Sequence, residues 1–435
     1  MISLSMIVKN EEATLGHCLE SVRGLVDEIV VVDTGSTDGT AEIARRFGAR
    51  LHQYQWCDDF SAARNEALRH ITGDWVLVLD ADEAIDPIDH DKTKEACRRP
   101  FADAYSLTTR NYTASANETT LDVGAVPNNS SYAEGKGLPF YTDNTGLRLA
   151  RVFDGLSFEG RIHETIGKSL VAHAKTIADL PAVIHHYGKL LQDREKQKID
   201  YYLELARRDA TKDPNDKWAL FNLLQQALVA RQWQTALDAS EASLKLGQMV
   251  EPLVLYGAGV ACQELGRHAD ALKYFHLLMG HAPNHALAVL GKGVSTEALG
   301  DPQGGRELIK KAIQIQPGYM PARCALADLE QRQGNFDAAR RVVLNAVAVA
   351  PREPSLYDQL LKIEMARGNV KQAVEDALLA LKVCPSGGQG RWHRLAAVYM
   401  GQTGQRETAI SMLDQGLNAF PNDPDLKRLK DLMQA

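Results

Sequence analysis

The chain has 435 residues, room for two or three domains each with its own core, and its 45% hydrophobic and 24% charged content is ordinary for a globular protein. A formal charge of −7 argues against a general nucleic-acid binder, and no stretch approaches the roughly 18 apolar residues that a membrane span needs. Ile2 to Val8 lacks the basic flank of a secretory signal and the six cysteines are scattered with no CxxC pair, so the expectation is a cytoplasmic protein with reduced thiols.

Ser3 to Val8 predicts a first strand, ending in Lys9-Asn10-Glu11-Glu12, and Leu15, Cys18, Leu19 and Val22 recur behind it at helical spacing. Glu28 to Val32 predicts a second strand, which runs into Asp33-Thr-Gly-Ser-Thr-Asp38-Gly-Thr and a helix from Ala41 to Phe47. Arg50 to Tyr54 predicts a third strand, and Ala62 to His70 a helix. Trp75 to Leu79 is an apolar run between Gly73-Asp74 and the carboxylates Asp80, Asp82 and Glu83. Such a run predicts a strand buried on both faces, central to a mostly parallel sheet with right-handed crossovers. The strand ends then place Lys9-Asn10, Asp33 and Asp80/Asp82 along one edge, where open α/β sheets bind ligands.

Asp80 and Asp82, one residue apart, can both turn toward one divalent cation, and hard oxygen ligands suit Mg²⁺ or Mn²⁺ with positions left for phosphate. Asp33 suits either a base or ribose contact or a plain turn. A G-x-G-x-x-G after the first strand and a Walker motif are both absent, so the pattern points to a nucleotide-diphosphate donor rather than a dinucleotide. Ala104 to Arg110 predicts a strand, and Asn111 to Tyr141 is polar and aperiodic, as in a lid. Leu147 to Phe153 alternates as a strand, followed by Phe158-Glu-Gly-Arg161-Ile-His163-Glu164 and Val183-Ile-His185-His186-Tyr187-Gly188.

The segments K-N-E-E, D-E-I-V-V-V-D-T-G-S-T-D-G-T, W-x-D-D-F-S-x-A-R-N-x-A-L and G-D-W-V-L-x-L-D-A-D-E, in that order, resemble the family 2 glycosyltransferases of GT-A fold. Among these the chain is most similar to bacterial members with tetratricopeptide repeats, closely to about residue 90 and more loosely to about 190. The resemblance implies an inverting transferase that uses a nucleotide-activated sugar, usually UDP-linked, with a divalent metal (Mn²⁺ or Mg²⁺) at D-x-D. Matched residue by residue, it implies Val8, Lys9, Asn10, Glu12, Asp33, Asp59, Arg64, Asn65, Asp80 and Ala81 around the nucleotide sugar. It implies Asp80, Asp82 and His186 at the metal, with His163 as the other histidine of similar segments, and Glu164 and His163 as catalytic candidates. Inverting transfer needs a base within reach of the acceptor hydroxyl, the role matched to Glu164. The chain lacks the downstream E-D pair from which the family usually draws that base.

Leu190 to Ala210 is charged and helical, the pattern of a connector. Gly266, Gly300, Gly334 and Gly368 then recur every 34 residues, with Gly404 after 36. Each is followed five residues on by a small residue (Ala271, Gly305, Ala339, Ala373, Ala409) and seventeen on by proline (Pro283, Pro317, Pro351, Pro385, Pro421). That is the tetratricopeptide signature of stacked helix pairs, whose groove usually holds a protein segment. The expected architecture is an α/β GT-A domain over 1–190, Rossmann-like with a mostly parallel sheet, a helical connector over 191–213, and an all-α repeat superhelix over 214–435 with about six repeats and a closing helix. The expected function is sugar transfer to a hydroxyl of a protein docked by the repeats, flagellin being one acceptor of this kind. The alternatives are transfer to a lipid-linked or surface polysaccharide, and a repeat-based adaptor with an inactive transferase half.

Overall fold

The structure, a computed structural model, describes every residue except 117–118, 121–122, 189–194, 248–250, 385–389 and 435. The chain forms two compact units, one from residues 1–282 apart from 115–117, the other from residues 283–435 with 115–117.

In the first unit the alternating pattern becomes β1 (Ile2–Val8), α1 (Leu15–Ser21), β2 (Glu28–Asp33), α2 (Thr40–Arg46), β3 (Arg50–Gln53), α3 (Phe60–His70) and β4 (Trp75–Val78). Then come β5 (Glu83–Ile85), α4 (His90–Arg98), β6 (Ala104–Thr113), the two-residue strands β7 (Thr119–Thr120), β8 (Val123–Gly124) and β9 (Val126–Pro127), β10 (Phe140–Arg151), α5 (Gly167–Ala172) and β11 (Ile177–His186). The main sheet runs β3-β2-β1-β4-β10-β6-β11-β5, with β9 on β10. β4 is buried on both faces, as its composition predicts. Trp75 and Leu77 join the core with β1 and α1, while Val76 and Val78 join a second core with Phe158, Ile166 and Leu170.

The parallel expectation holds for β3-β2-β1-β4 and for β6 with β11. The sheet as a whole is mixed, because β10 lies antiparallel to β4, β6 and β9, and β5 antiparallel to β11. The segment expected to be irregular also holds more strand than its polarity suggests. β6 runs on to Thr113, and β10 already begins at Phe140. Thr109, Arg110, Asn111, Thr113 and Thr142 are buried polar residues of these strands, so period-two hydrophobicity is missing where strands are nevertheless present.

Of the expected connector, residues 191–194 lie outside the described residues; the rest is α6 (Glu195–Lys212). Leu205 and Ala206 of this helix are fully buried and pack with Ile162, Phe60 and Leu223. Phe60 starts α3 and Leu223 lies on α7 (Lys217–Val229), so α6 is a packed layer of the first unit. That unit also includes α8 (Trp233–Lys245), α9 (Pro252–Glu264) and α10 (His268–His281), and so extends well past residue 190.

The second unit contains nine helices among the described residues, from α11 (Ala286–Ala298) to α19 (Pro424–Gln434). Pro385, one of the period-marking prolines, lies outside the described residues. The period-marking glycines take positive φ, from +74° at Gly266 to +96° at Gly300, so each ends a helix in a conformation that side chains disfavour. Ala271, Ala339, Ala373 and Ala409 are fully buried, as expected of contacts between paired helices. Arg306 on α12 (Pro302–Ile315) pairs at 2.7 Å with Glu330 on α13 (Met320–Arg332). One period later Arg340 on α14 (Phe336–Val349) pairs at 3.3 Å with Glu364 on α15 (Pro354–Ala366).

A chain ending at the expected boundary, residue 190, would leave Phe60 and Ile162 without the helix face that covers them. We expect 1–190 to be recovered as aggregate and 1–282 to unfold in one cooperative transition, which thermal melts followed by circular dichroism will read. A 1–190 piece as stable as 1–282 would refute this packing account.

Candidate active site

The edge at the C-terminal ends of β1, β2 and β4 carries the residues that the motifs pick out. After β1, Val8 is buried and its carbonyl accepts from Thr34 N (3.0 Å) and Thr34 Oγ1 (3.1 Å). Asn10 sits at φ +55° with its Oδ1 accepting from Thr37 N (2.8 Å), and Glu12 Oε2 accepts from Gly39 N (3.0 Å). These contacts join the loop after β1 to the loop after β2. Lys9 between them is exposed. Asp33 Oδ1 accepts from Gly35 N and Ser36 N (3.1 and 2.8 Å), and Gln53 Nε2 donates to its Oδ2 (3.1 Å). Burial would lift this carboxyl, but the bonds from Ser36, Gln53 and Gly35 hold it below the usual carboxylate range. Asp33 therefore shapes the turn as well as standing at the ligand edge.

After β4 a chain of ion pairs begins. Arg64, one turn into α3, is 3% exposed and lies between two carboxylates: Asp80 pairs with its Nη2, and Nε donates to Glu164 Oε1 (2.9 Å). Its Nη1 is buried with no hydrogen-bond partner among the described residues. On the other side, Arg148 of β10 makes a two-pronged pair with buried Glu83 (2.7 and 3.1 Å) and lies 4.0 Å from Asp80. Glu83 Oε2 also accepts from the backbone N of Asp80 (2.8 Å). Burial pushes Asp80 up, but Arg64 and Arg148 more than offset that and bring it down to about 2. Burial pushes Glu83 up, against the pull of Arg148. Ala81 is buried between the two aspartates of the motif.

Asp82 faces the other way. Its Oδ2 stands 3.3 Å from His186 Nε2 at the end of β11, and His186 Nδ1 donates to Asn111 Oδ1 (2.8 Å). Burial pushes the His186 ring down, but Asp82 at its Nε2 edge, with Glu83 and Asp80 nearby, holds it above the usual histidine range. Either a proton or a cation between Nε2 and Oδ2 satisfies both groups. Gly188 keeps the place open, since a Cβ there would lie 2.6 Å from His186 Nε2 and 2.7 Å from Asp82 Oδ2. A carboxylate and an oriented imidazole fit a divalent cation. Among the described residues no group of three or more such ligands is assembled.

Three motif residues are engaged elsewhere. Asp59 caps α3, its Oδ1 accepting from Ala62 N (3.0 Å) and Ser61 Oγ (2.7 Å). Both ends of the Asn65 amide serve the backbone of Phe158 (2.7 and 2.9 Å). His163, the other catalytic candidate, bonds α7, with Gln226 Nε2 donating to its Nε2 (2.6 Å). A cavity of about 690 Å³ lined by Met1, Asp27, Asp74, Lys94 and Arg151 opens at the opposite edge, at the start of β1 and β4. The ionisable groups converge at the other edge, so the cavity is not the site.

The sequence model of the family Glycosyl transferase family 2 matches residues 3–149, and tetratricopeptide-repeat models match 256–319 and 297–363. A TPR repeat-containing protein of Synechococcus elongatus is 30% identical over 383 residues, covering 82% of this chain and 86% of its own length. The chain belongs to the family 2 glycosyltransferases that carry tetratricopeptide repeats. An uncharacterized glycosyltransferase of Rickettsia typhi is 39% identical over 84 residues, 19% of this chain and 28% of that protein. The SPbeta prophage-derived glycosyltransferase SunS of Bacillus subtilis is 36% identical over 83 residues, 19% of this chain and 20% of that protein.

Two residues that motif matching does not select, Arg148 and Asn111, contact the candidate site residues. Arg148 stands in the alternating L-R-L-A-R-V-F strand, and a charge within such a run is the signal that could have found it. Removing Arg148 strands the Glu83 carboxylate, a change that costs about 3–5 kcal/mol in a buried pair. Arg148→Leu should lower the unfolding free energy by that amount in urea titrations. Arg148→Leu/Glu83→Gln should recover most of the loss, because the amide is neutral and still accepts from Asp80 N. A double variant no more stable than the single one would refute the ion-pair account.

Proposed function

We propose that the transferase moves a sugar from a UDP-linked donor to a hydroxyl of a protein acceptor, inverting the anomeric centre, with Mn²⁺ or Mg²⁺ held by Asp82 and His186. The observation that carries this reading is the buried Arg64 with one unpartnered donor beside the D-x-D carboxylates. A buried N–H without a partner is costly, and a diphosphate oxygen supplies the acceptor that it lacks. The chemistry that a divalent cation contributes beside Asp82 and His186 is neutralisation of phosphate charge.

The residues divide the remaining work. Arg64 and Arg148 hold Asp80 ionised, and the free donor of Arg64 is the group that meets the leaving diphosphate as it gains charge. Glu164 is ion-paired with Arg64 and its side chain is 14% exposed, which leaves its carboxylate at the surface of the site. As the acceptor oxygen bonds to the anomeric carbon, Glu164 takes its proton, and the electrons of the breaking C–O bond leave with the diphosphate. The helix pairs support a protein acceptor, because stacked repeats of this kind offer a long surface for an extended segment.

Glu164→Gln preserves an acceptor for Arg64 Nε but removes the base. It should lower turnover by roughly 10²–10⁴ with donor KM little changed, read as UDP release from a panel of UDP-sugars. Asp82→Asn and Gly188→Ala should each weaken Mn²⁺ binding at least tenfold by electron paramagnetic resonance, with circular dichroism unaltered. Full Mn²⁺ affinity in both variants would remove the metal from the mechanism, and normal turnover in Glu164→Gln would remove the base.

A further inference from the structure

The loop that ends in Glu164 is held from outside the sugar-nucleotide half of the chain. Glu159 and Thr165 pair with each other through N–H···O bonds of 3.0 Å each way, closing a tight excursion. Within it Gly160 has φ +104° and His163 φ +48°. A histidine in the left-handed region is strained and persists only where its surroundings fix it.

Those surroundings are α6 and α7. Asp209 on α6 accepts from Arg161 N (3.1 Å) and pairs with Arg161 Nε (2.9 Å). Asn222 Nδ2 on α7 donates to Ile162 O (3.1 Å), and Gln226, one turn further along the same face, bonds His163. Three consecutive residues are thus gripped by three side chains from the two helices. Ile162 itself packs with Leu205, Ala206 and Leu223 of these helices. The next residue in the chain is Glu164, which meets Arg64 Nε. Arg161 O also accepts from Phe60 N (3.0 Å), so the same grip reaches the start of α3, which carries Arg64.

We propose that Asp209, Asn222 and Gln226 are positioning residues of the transferase: they set the 161–163 backbone so that Glu164 engages Arg64, and the first helices after the sheet domain are part of the catalytic apparatus. The proposal rests on the assignment of Glu164 and Arg64 to the reaction. The Glu159–Thr165 pair closes the base of the excursion, whereas at its tip Ile162 O and the His163 ring are bonded by α7. Loosening any of the three contacts lets φ of His163 relax, which turns Glu164 off Arg64 without touching the donor loops after β1 and β2.

The test uses the full chain with Asp209→Leu, Asn222→Ala and Gln226→Leu, and with Asp209→Asn as the conservative control that keeps a carbonyl acceptor for Arg161 N. Hydrogen–deuterium exchange should rise at least tenfold for the amides of 161–165 in the first three variants, with β1 and β4 unchanged. Turnover of a UDP-sugar should fall about tenfold at constant donor KM, and Asp209→Asn should restore both readouts toward the parent values. Unaltered exchange at 161–165, or faster exchange with normal turnover, overturns the proposal. So does a uniform rise across β1 and β4, which would make the contacts a matter of stability alone. Should the parent chain turn over no UDP-sugar, the donor assignment fails on its own, and exchange at the Thr165 amide, which bonds Glu159 O, still decides whether these three side chains hold the loop.

Discussion

The arrangement of the site depends on one buried cation. A guanidinium taken out of water is tolerated only where anions surround it, and Arg64 answers this requirement with Asp80 from the end of β4 and Glu164 from the loop before α5. The partners lie 16 and 100 residues away along the chain, so the charge requirement of one side chain ties three distant elements to a common point. Arg148 repeats the solution one strand over with Glu83, and the Asp80 backbone joins the two pairs. Within this network the arginines bring Asp80 down to about 2, while burial leaves Glu83 above the usual carboxylate range. The network also fixes its members in position, because a shift of a partner would leave the buried charge of Arg64 or Glu83 uncompensated.

Sequence alone was informative where chemistry and burial coincide. β1, β2 and β4 are apolar because both of their faces are covered, so the parallel half of the sheet stands out in the chain. The antiparallel half stands out only in part: Ala104 to Arg110 and Leu147 to Phe153 read as strands, whereas β6 past Arg110 and β10 before Leu147 carry polar residues such as Asn111, Thr142 and Asp143 and read as loop. Placement at a strand end found Asp80 and Asp82, and the family resemblance pointed to Arg64, Glu164 and His186, which the fold brings close to them. The resemblance also selected Asp59 and Asn65, whose side chains hold α3 and Phe158 in place, since a motif preserves position without saying what each polar atom bonds. α6 resembled a tether because Glu204, Arg207 and Arg208 crowd its sequence, while the burial of Leu203, Leu205, Ala206 and Ala210 on its other face sets its role.

The repeats were legible for a different reason. Each glycine at φ near +80° and each buried alanine answers a local steric demand that recurs every 34 residues, so the period survives even though the helices share little else. The demand is the same in each helix pair because neighbouring pairs meet in the same way.

The Arg306–Glu330 and Arg340–Glu364 pairs follow that period as well, each running from the second helix of one repeat to the first helix of the next. Glu364 is almost wholly buried, so a deletion that took Arg340 and left Glu364 would strand an anion in the core. Losing or duplicating a whole 34-residue block between these two pairs keeps an arginine opposite a glutamate at this interface. Array length can therefore drift over evolutionary time by complete blocks, and selection against unmatched charge removes the fractional ones.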